Sequence, residues 1–213
     1  MRLAVLSTAL ILSSTVASHA AAISLSDGWT NQRVSIFSKN TYSFGSSLGI
    51  TSDDAISIAW RRLPSSVWDA TRANWSWSVD QSVPATNLAR KGGDDRNISI
   101  YFLFAPDDQA RALSGAGIRK LLSNKDVRVL QYAWGGNHGR GAVLQSPYAP
   151  GQAVTVALRQ AGTGQNSESV NLASDYARAF GGAPGKLLGM AVSADSDDTD
   201  SMIRASISNM RLQ

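Results

Sequence analysis

The chain has no cysteine. Disulfides, thiolate metal sites, cysteine nucleophiles and a lipid anchor attached through cysteine are therefore all excluded. Histidine is nearly as scarce. Of the two present, His19 lies in an amino-terminal leader, so only His138 remains for a mature chain. One histidine does not make a histidine-rich zinc site, and carboxylates alone seldom build one. Charged residues are only 17% of the chain, and the net charge of +4 falls by one if Arg2 leaves with the leader. So small and scattered an excess argues against nucleic acid as a partner. Beyond the leader no apolar run is long enough to span a membrane, so no transmembrane segment is expected. The glycines around His138 lack the Lys-Ser/Thr ending of a phosphate-binding loop.

What is present begins with that leader. Residues 1–22 read as a signal peptide: Arg2 supplies the positive start, an apolar stretch follows from Leu3 to Leu12, and small residues close it. Ser18-His19-Ala20 and Ala20-Ala21-Ala22 are alternative small-x-small cleavage patterns. Export to the periplasm or the outside of the cell is the expected consequence. Residues 23–213 then form a single domain, long enough for a substantial core.

The mature chain reads as roughly ten short strands separated by turn signals, with one or two short helices. Apolar pieces are expected at 33–37, 41–44, 47–51 and 55–60. The segment 74–104 organises the rest. Trp75, Trp77 and Val79 share one face of a strand, and Ile98, Ile100, Phe102 and Phe104 share one face of another. Facing rows of aromatic and branched side chains are how two sheets make a core. Residues 106–123 read as one or two helical turns weakened by Gly115 and Gly117. Residues 127–134 alternate as a strand, with Leu130 and Tyr132 opposite Val129 and Gln131. Residues 174–180 read as a short helix capped by Ser174 or Asp175 and ended by Gly181-Gly182. The last strand changes phase near Asn209, which predicts a bulge. The fold class is all-β, a β-sandwich or jelly roll, with a closed barrel as the alternative.

Several segments in one order carry a resemblance: Trp75-Ser-Trp-Ser-Val79, Lys91-Gly-Gly-Asp-Asp-Arg96, Tyr132-Ala-Trp134, Ser146-Pro-Tyr148, Asp175-Tyr-Ala-Arg-Ala-Phe-Gly181 and Asp195-Ser-Asp-Asp-Thr199. Together they resemble the exported bacterial family catalogued as domain of unknown function 3047, across residues 28–212. That family implies no activity and no catalytic residues. The closing strands, Gly189 to Asp195 and Ala205 to Leu212, look like the last two of carbohydrate-binding jelly rolls, an analogy of fold. Against the family's pattern, Asp198 stands where an asparagine is expected.

The site candidates lie in loops. Lys91, Asp94, Asp95 and Arg96 flank Gly92-Gly93, where the backbone can approach a ligand closely. Their carboxylates can accept from sugar hydroxyls and their cations can donate. The alternative is a buried salt-bridged corner that holds the sandwich together. Adjacent Asp94 and Asp95 on extended backbone point to opposite sides. Trp134 and His138 border a glycine-rich turn and join the ligand-binding set. Of the six tryptophans, Trp29 and Trp134 are the expected exposed platforms and Trp75 and Trp77 the expected core. Asp195, Asp197, Asp198 and Asp200 concentrate oxygen ligands in one turn and are the candidates for a structural calcium, although the EF-hand spacing fails. No other cofactor is expected.

Three functions compete. The first is a non-catalytic module whose partner is a glycan or other ligand. The second is a carbohydrate-active hydrolase or lyase built on Asp80, Asp94, Asp95, Glu168 or Asp175, which needs two carboxylates facing across a cleft. The third is a structural or partner-binding envelope protein, which predicts a flat apolar patch. Gly45-Ser-Ser-Leu-Gly49 matches the nucleophile-elbow pattern in letters, but that motif needs a helix after it and none is expected. Asn74 and Asn97 sit in glycosylation sequons within strands, where attachment is not expected.

Overall fold

The computed structural model describes residues 20–33 and 38–213. Of the signal peptide expected at residues 1–22, residues 1–19 lie outside the described residues, as does the strand expected at 33–37 apart from Arg33.

In chain order the strands are β1 (Ala21–Ala22), β2 (Thr30–Arg33), β3 (Thr41–Phe44), β4 (Ser47–Asp53), β5 (Ile56–Arg62), β6 (Arg72–Gln81) and β7 (Arg96–Ala105). Helices α1 (Asp107–Leu113) and α2 (Ile118–Ser123) follow. Then come β8 (Arg128–Trp134), β9 (Val143–Gln145), β10 (Ala153–Arg159), β11 (Gly164–Asn171), α3 (Leu172–Phe180), β12 (Lys186–Asp195) and β13 (Met202–Leu212). They make two sheets. One has the order β11-β6-β13-β4-β3, with β1 on the end of β13, and the other β2-β5-β12-β7-β8-β10-β9. Among the described residues every pairing is antiparallel except β8 with β10, which is parallel. The protein is a β-sandwich.

Alternation decides which face each strand buries. Trp75 and Trp77 of β6 point inward from one sheet, and Ile98, Ile100, Phe102 and Phe104 of β7 from the other. Trp75 meets Phe102 and Tyr132 across the gap at centroid distances of 6.5 and 5.7 Å. Each such pair adds about 0.5–1.5 kcal/mol beyond its buried area. Asn209 takes a positive φ of 55° where the β13–β6 register shifts, so the phase change is a bulge.

The outer face of the seven-stranded sheet is partly covered as well. Ala110, Leu113, Ile118 and Leu121 of α1 and α2 pack with Leu103, Val129, Leu188 and Ala191 in a second core. Helix α3 begins earlier than its sequence suggests. Its cap is Asn171, whose side chain accepts from Ser174 N at 2.9 Å. Asp175 is committed elsewhere, to Tyr132 OH at 2.7 Å and Arg178 at 2.8 Å. No described helix is long and apolar enough to cross a membrane.

Candidate functional site

The loop ahead of β7 delivers its charged residues to a corner. Arg96 opens β7 and Asp195 closes β12, and the two are register partners on neighbouring strands. Arg96 Nη1 donates to Asp195 Oδ2 at 2.8 Å, to Asp94 Oδ2 at 3.0 Å and to the Asp94 carbonyl at 2.8 Å. Its Nη2 donates to Tyr101 OH at 3.0 Å, which lies 2.9 Å from Ser193 Oγ. Asp94, Asp95, Arg96 and Asp195 are all buried. Burial works against the charge on Arg96, but Tyr101, Asp195 and Asp94 outweigh it and its pKa rises. Burial also lifts Asp195, to about 8; Arg96 pulls it down while Asp197 and Asp95 push it further up.

Asp94 and Asp95 do point opposite ways. Asp94 Oδ1 accepts from Tyr148 OH at 2.9 Å, and the same hydroxyl accepts from Gly92 N at 3.2 Å. Asp95 turns to the β12–β13 turn, accepting from Asp198 N at 3.2 Å and Thr199 Oγ1 at 2.5 Å. Burial raises the Asp95 pKa against these bonds. The corner is closed from a third side by the glycine-rich turn after β8. A Cβ on Gly135 would sit 2.7 Å from Arg96 Cα, and one on Gly136, where φ is 71°, would sit 2.5 Å from Leu88 Cγ. Only glycine allows this approach.

On the Asp94 side the corner is the wall of a pocket of about 200 Å³. Tyr101, Leu103, Val129, Gln131, Ala153 and Thr155 line it from the outer face of the sheet. Leu88, Ile118, Leu122, Pro147 and Tyr148 line it from the surrounding loops and α2. Gln131 is held rigid, donating to Ser99 Oγ at 2.8 Å and accepting from Thr155 Oγ1 at 2.9 Å. Leu122 and Tyr148 are exposed. Lys91 sits above the Tyr148 ring at 5.5 Å. An apolar lining with a few fixed polar groups is the usual make-up of a small-molecule site.

Other expected residues fall elsewhere. Trp134 is only 3% exposed and packs edge-on against Trp77 in the core, so it is no platform. It shares the inward parity of Leu130 and Tyr132. Trp29 is half-buried, stacked with Phe44 at 6.3 Å and covered by Arg61. His138 is partly buried and is not among the pocket-lining residues. Glu168 is tied to Arg140 and Arg159, at 2.7 and 2.8 Å. Asp94 is the one carboxylate lining the pocket, so a facing acid pair is not assembled there. Ser47 opens β4 in a hairpin, with strand and not helix after it. The acidic turn divides: Asp197 and Asp198 gather with Asp95, while Asp195 joins Arg96 and Asp200 stands outside that group. Sequence reasoning passed over Tyr101, Gln131, Tyr148 and Thr155; the outward parity of Tyr101 with Leu103, and of Gln131 with Val129, was the available signal.

Fold and site together define a two-sheet β-sandwich with a ligand-sized pocket on the outer face of its larger sheet. Within that class the chain belongs to the family described as "Protein of unknown function (DUF3047)", whose model matches residues 27–211. No curated protein matches the chain. Among solved structures it is similar to one titled "Xyloglucanase domain of NopAA, a type three effector from Sinorhizobium fredii in complex with cellobiose". The TM-score is 0.46 at 7% identity, over 91% of this chain and 95% of that one.

Proposed function

We propose that this protein is a non-catalytic binding module whose pocket takes one small ligand with an apolar face and a hydroxylated edge, the chemistry of a single sugar unit of a glycan. The observation that supports this reading most is the asymmetry of the pocket. Planar hydrogen-bonding groups of Asp94, Arg96 and Gln131 stand with the Tyr101 hydroxyl among its lining, while Leu88, Ile118, Leu122 and Pro147 are apolar. Tyr148 offers an exposed ring at the edge, and aromatic faces suit the apolar face of a sugar. The volume suits one ring rather than a chain, since drug-sized ligands occupy about 300–1,000 Å³.

Binding is favoured over hydrolysis by the acid inventory. Glycoside hydrolysis uses two carboxylates flanking the bond. Here Asp94 stands alone in the lining, and both its oxygens are already engaged, one by Tyr148 and the other by Arg96. Export, expected from the leader, would place this module in the envelope or outside the cell.

A glycan array followed by calorimetry on any hit tests the proposal, with an alkyl and an aromatic fluorescent probe run alongside. Saturable binding of a glycan, displaced by the matching monosaccharide, is expected. Binding of the apolar probes with no glycan response would remove the sugar reading.

A further inference from the structure

The floor of the pocket is laid out in rows. Tyr101, Gln131 and Thr155 are register partners on β7, β8 and β10, so they cross the outer face of the sheet side by side. Leu103, Val129 and Ala153 are partners in the same way. Along each strand this aliphatic row lies two residues from the polar one, a shift of about 7 Å. On the other side of the polar row, Ser99 and Ser193 pair in the direction of Arg96 and Asp195. The pocket therefore grades along its strands from a charged corner through an amide to a bare aliphatic floor.

The hydrogen-bonding capacity is graded as well. At the corner, Arg96 Nη1 donates to Asp94 and Asp195, and Nη2 donates to Tyr101 OH. The Tyr148 hydroxyl donates to Asp94 Oδ1. These donors are committed to the protein, but each Asp94 oxygen keeps a second lone pair for a ligand hydroxyl. Gln131 sits in the middle. Its Nε2 donates to Ser99 Oγ at 2.8 Å and its Oε1 accepts from Thr155 Oγ1 at 2.9 Å. One N–H of this fixed amide remains for a ligand, as do the lone pairs of Thr155 Oγ1. Beyond them, a hydroxyl set against Leu103, Val129 and Ala153 would be buried without a partner, which is unfavourable, whereas a methyl group there is not.

We propose that the sugar unit taken by this pocket carries an N-acetyl group, with its hydroxyls toward Asp94, its amide at Gln131 and Thr155, and its methyl on the row of Leu103, Val129 and Ala153. The inference rests on the sugar reading of the pocket and narrows it to one class, the N-acetylated amino sugars. The acetamido carbonyl accepts from Gln131 Nε2 and its N–H donates to Thr155 Oγ1. A plain hexose leaves the Gln131 N–H unmatched and puts a hydroxyl where the methyl belongs. A free amino sugar puts an ammonium there, which would lose its water against aliphatic side chains, while Asp94 is already paired with Arg96.

Calorimetry with the methyl glycosides of N-acetylglucosamine and N-acetylgalactosamine, of the parent hexoses and of the free amines tests the assignment. One N-acetyl sugar should bind at least about tenfold tighter than its parent hexose and its free amine, the discrimination that a few buried contacts supply. Val129→Ala removes the side chain that closes the methyl's seat. It should raise the affinity for the N-propanoyl sugar relative to the N-acetyl sugar by about fivefold or more. A variant that merely loses its fold weakens both ligands and does not move that ratio. A plain hexose bound as tightly as its N-acetyl form, or a ratio unmoved by Val129→Ala, would overturn the N-acetyl assignment and leave the sugar reading standing. Binding of no sugar at all would overturn both.

Discussion

Arg96 and Asp195 meet at 2.8 Å as register partners on β7 and β12, and their contact joins the pocket wall to the root of the acidic turn. Both side chains are more than nine-tenths buried. The pair is therefore expensive to break from one side, because the remaining partner is left as an uncompensated buried charge.

Arg96→Met should destabilise the protein by about 3–5 kcal/mol, the range for removing one partner of a buried ion pair. The double variant Arg96→Met/Asp195→Leu should lose clearly less than the single losses added together. Urea unfolding of the four proteins in the cycle checks both statements. Additive losses would mean that the two residues act independently.

Trp134→Ala should cost about 3–5 kcal/mol by leaving a cavity against Trp77. Pocket binding, measured below the unfolding transition, should be unchanged. A large loss of affinity with little loss of stability would return Trp134 to the role of platform.

Gly136→Ala should cost about 1–3 kcal/mol, since the residue holds a φ of 71° and the new methyl meets Leu88. Adding Leu88→Ala should recover none of the conformational part, because the backbone angle stays unfavourable. Thermal melting of the single and double variants against Leu88→Ala alone separates steric clash from strain.

Leader processing, where it occurs, should leave Ala21 as the first residue. Ala21 and Ala22 form β1 and pair with Leu212 and Arg211, and Ile23 N donates to the Met210 carbonyl at 2.9 Å. Cleavage after Ala22 would delete that strand. Intact-mass measurement of the exported protein distinguishes a start at Ala21 from a start at Ile23.

Much of the fold was legible because period-two alternation reports which face of a strand is buried. Trp75, Trp77, Phe102 and Phe104 were read correctly from that pattern alone. The same rule, carried two residues past Tyr132, puts Trp134 in the core; its place beside glycine drew attention to exposure instead. The pocket was harder to see. Alternation assigns Tyr101, Gln131 and Thr155 to an outer face, but no local pattern says that α2 and the turn at Ser146-Pro147-Tyr148 will enclose that face. Such contacts join residues some fifty positions apart, as Tyr148 and Asp94 do at 2.9 Å. Asp95 meeting Asp198 is illegible for the same reason: the acidic turn advertises its own four aspartates and not the fifth that folding brings to it.

As proposed, the pocket binds a sugar unit without cleaving it. Calorimetry of the best glycan-array hit against wild type and Ala153→Phe tests it most directly. Ala153 lines the pocket from β10 and lies outside the corner bonds, so phenylalanine there fills the space and leaves Arg96 in place. The expected result is saturable binding to wild type, at least tenfold weaker in Ala153→Phe, with equal melting temperatures and no shortened product by chromatography. Unchanged affinity in the filled pocket, or cleavage of the glycan, would contradict the account.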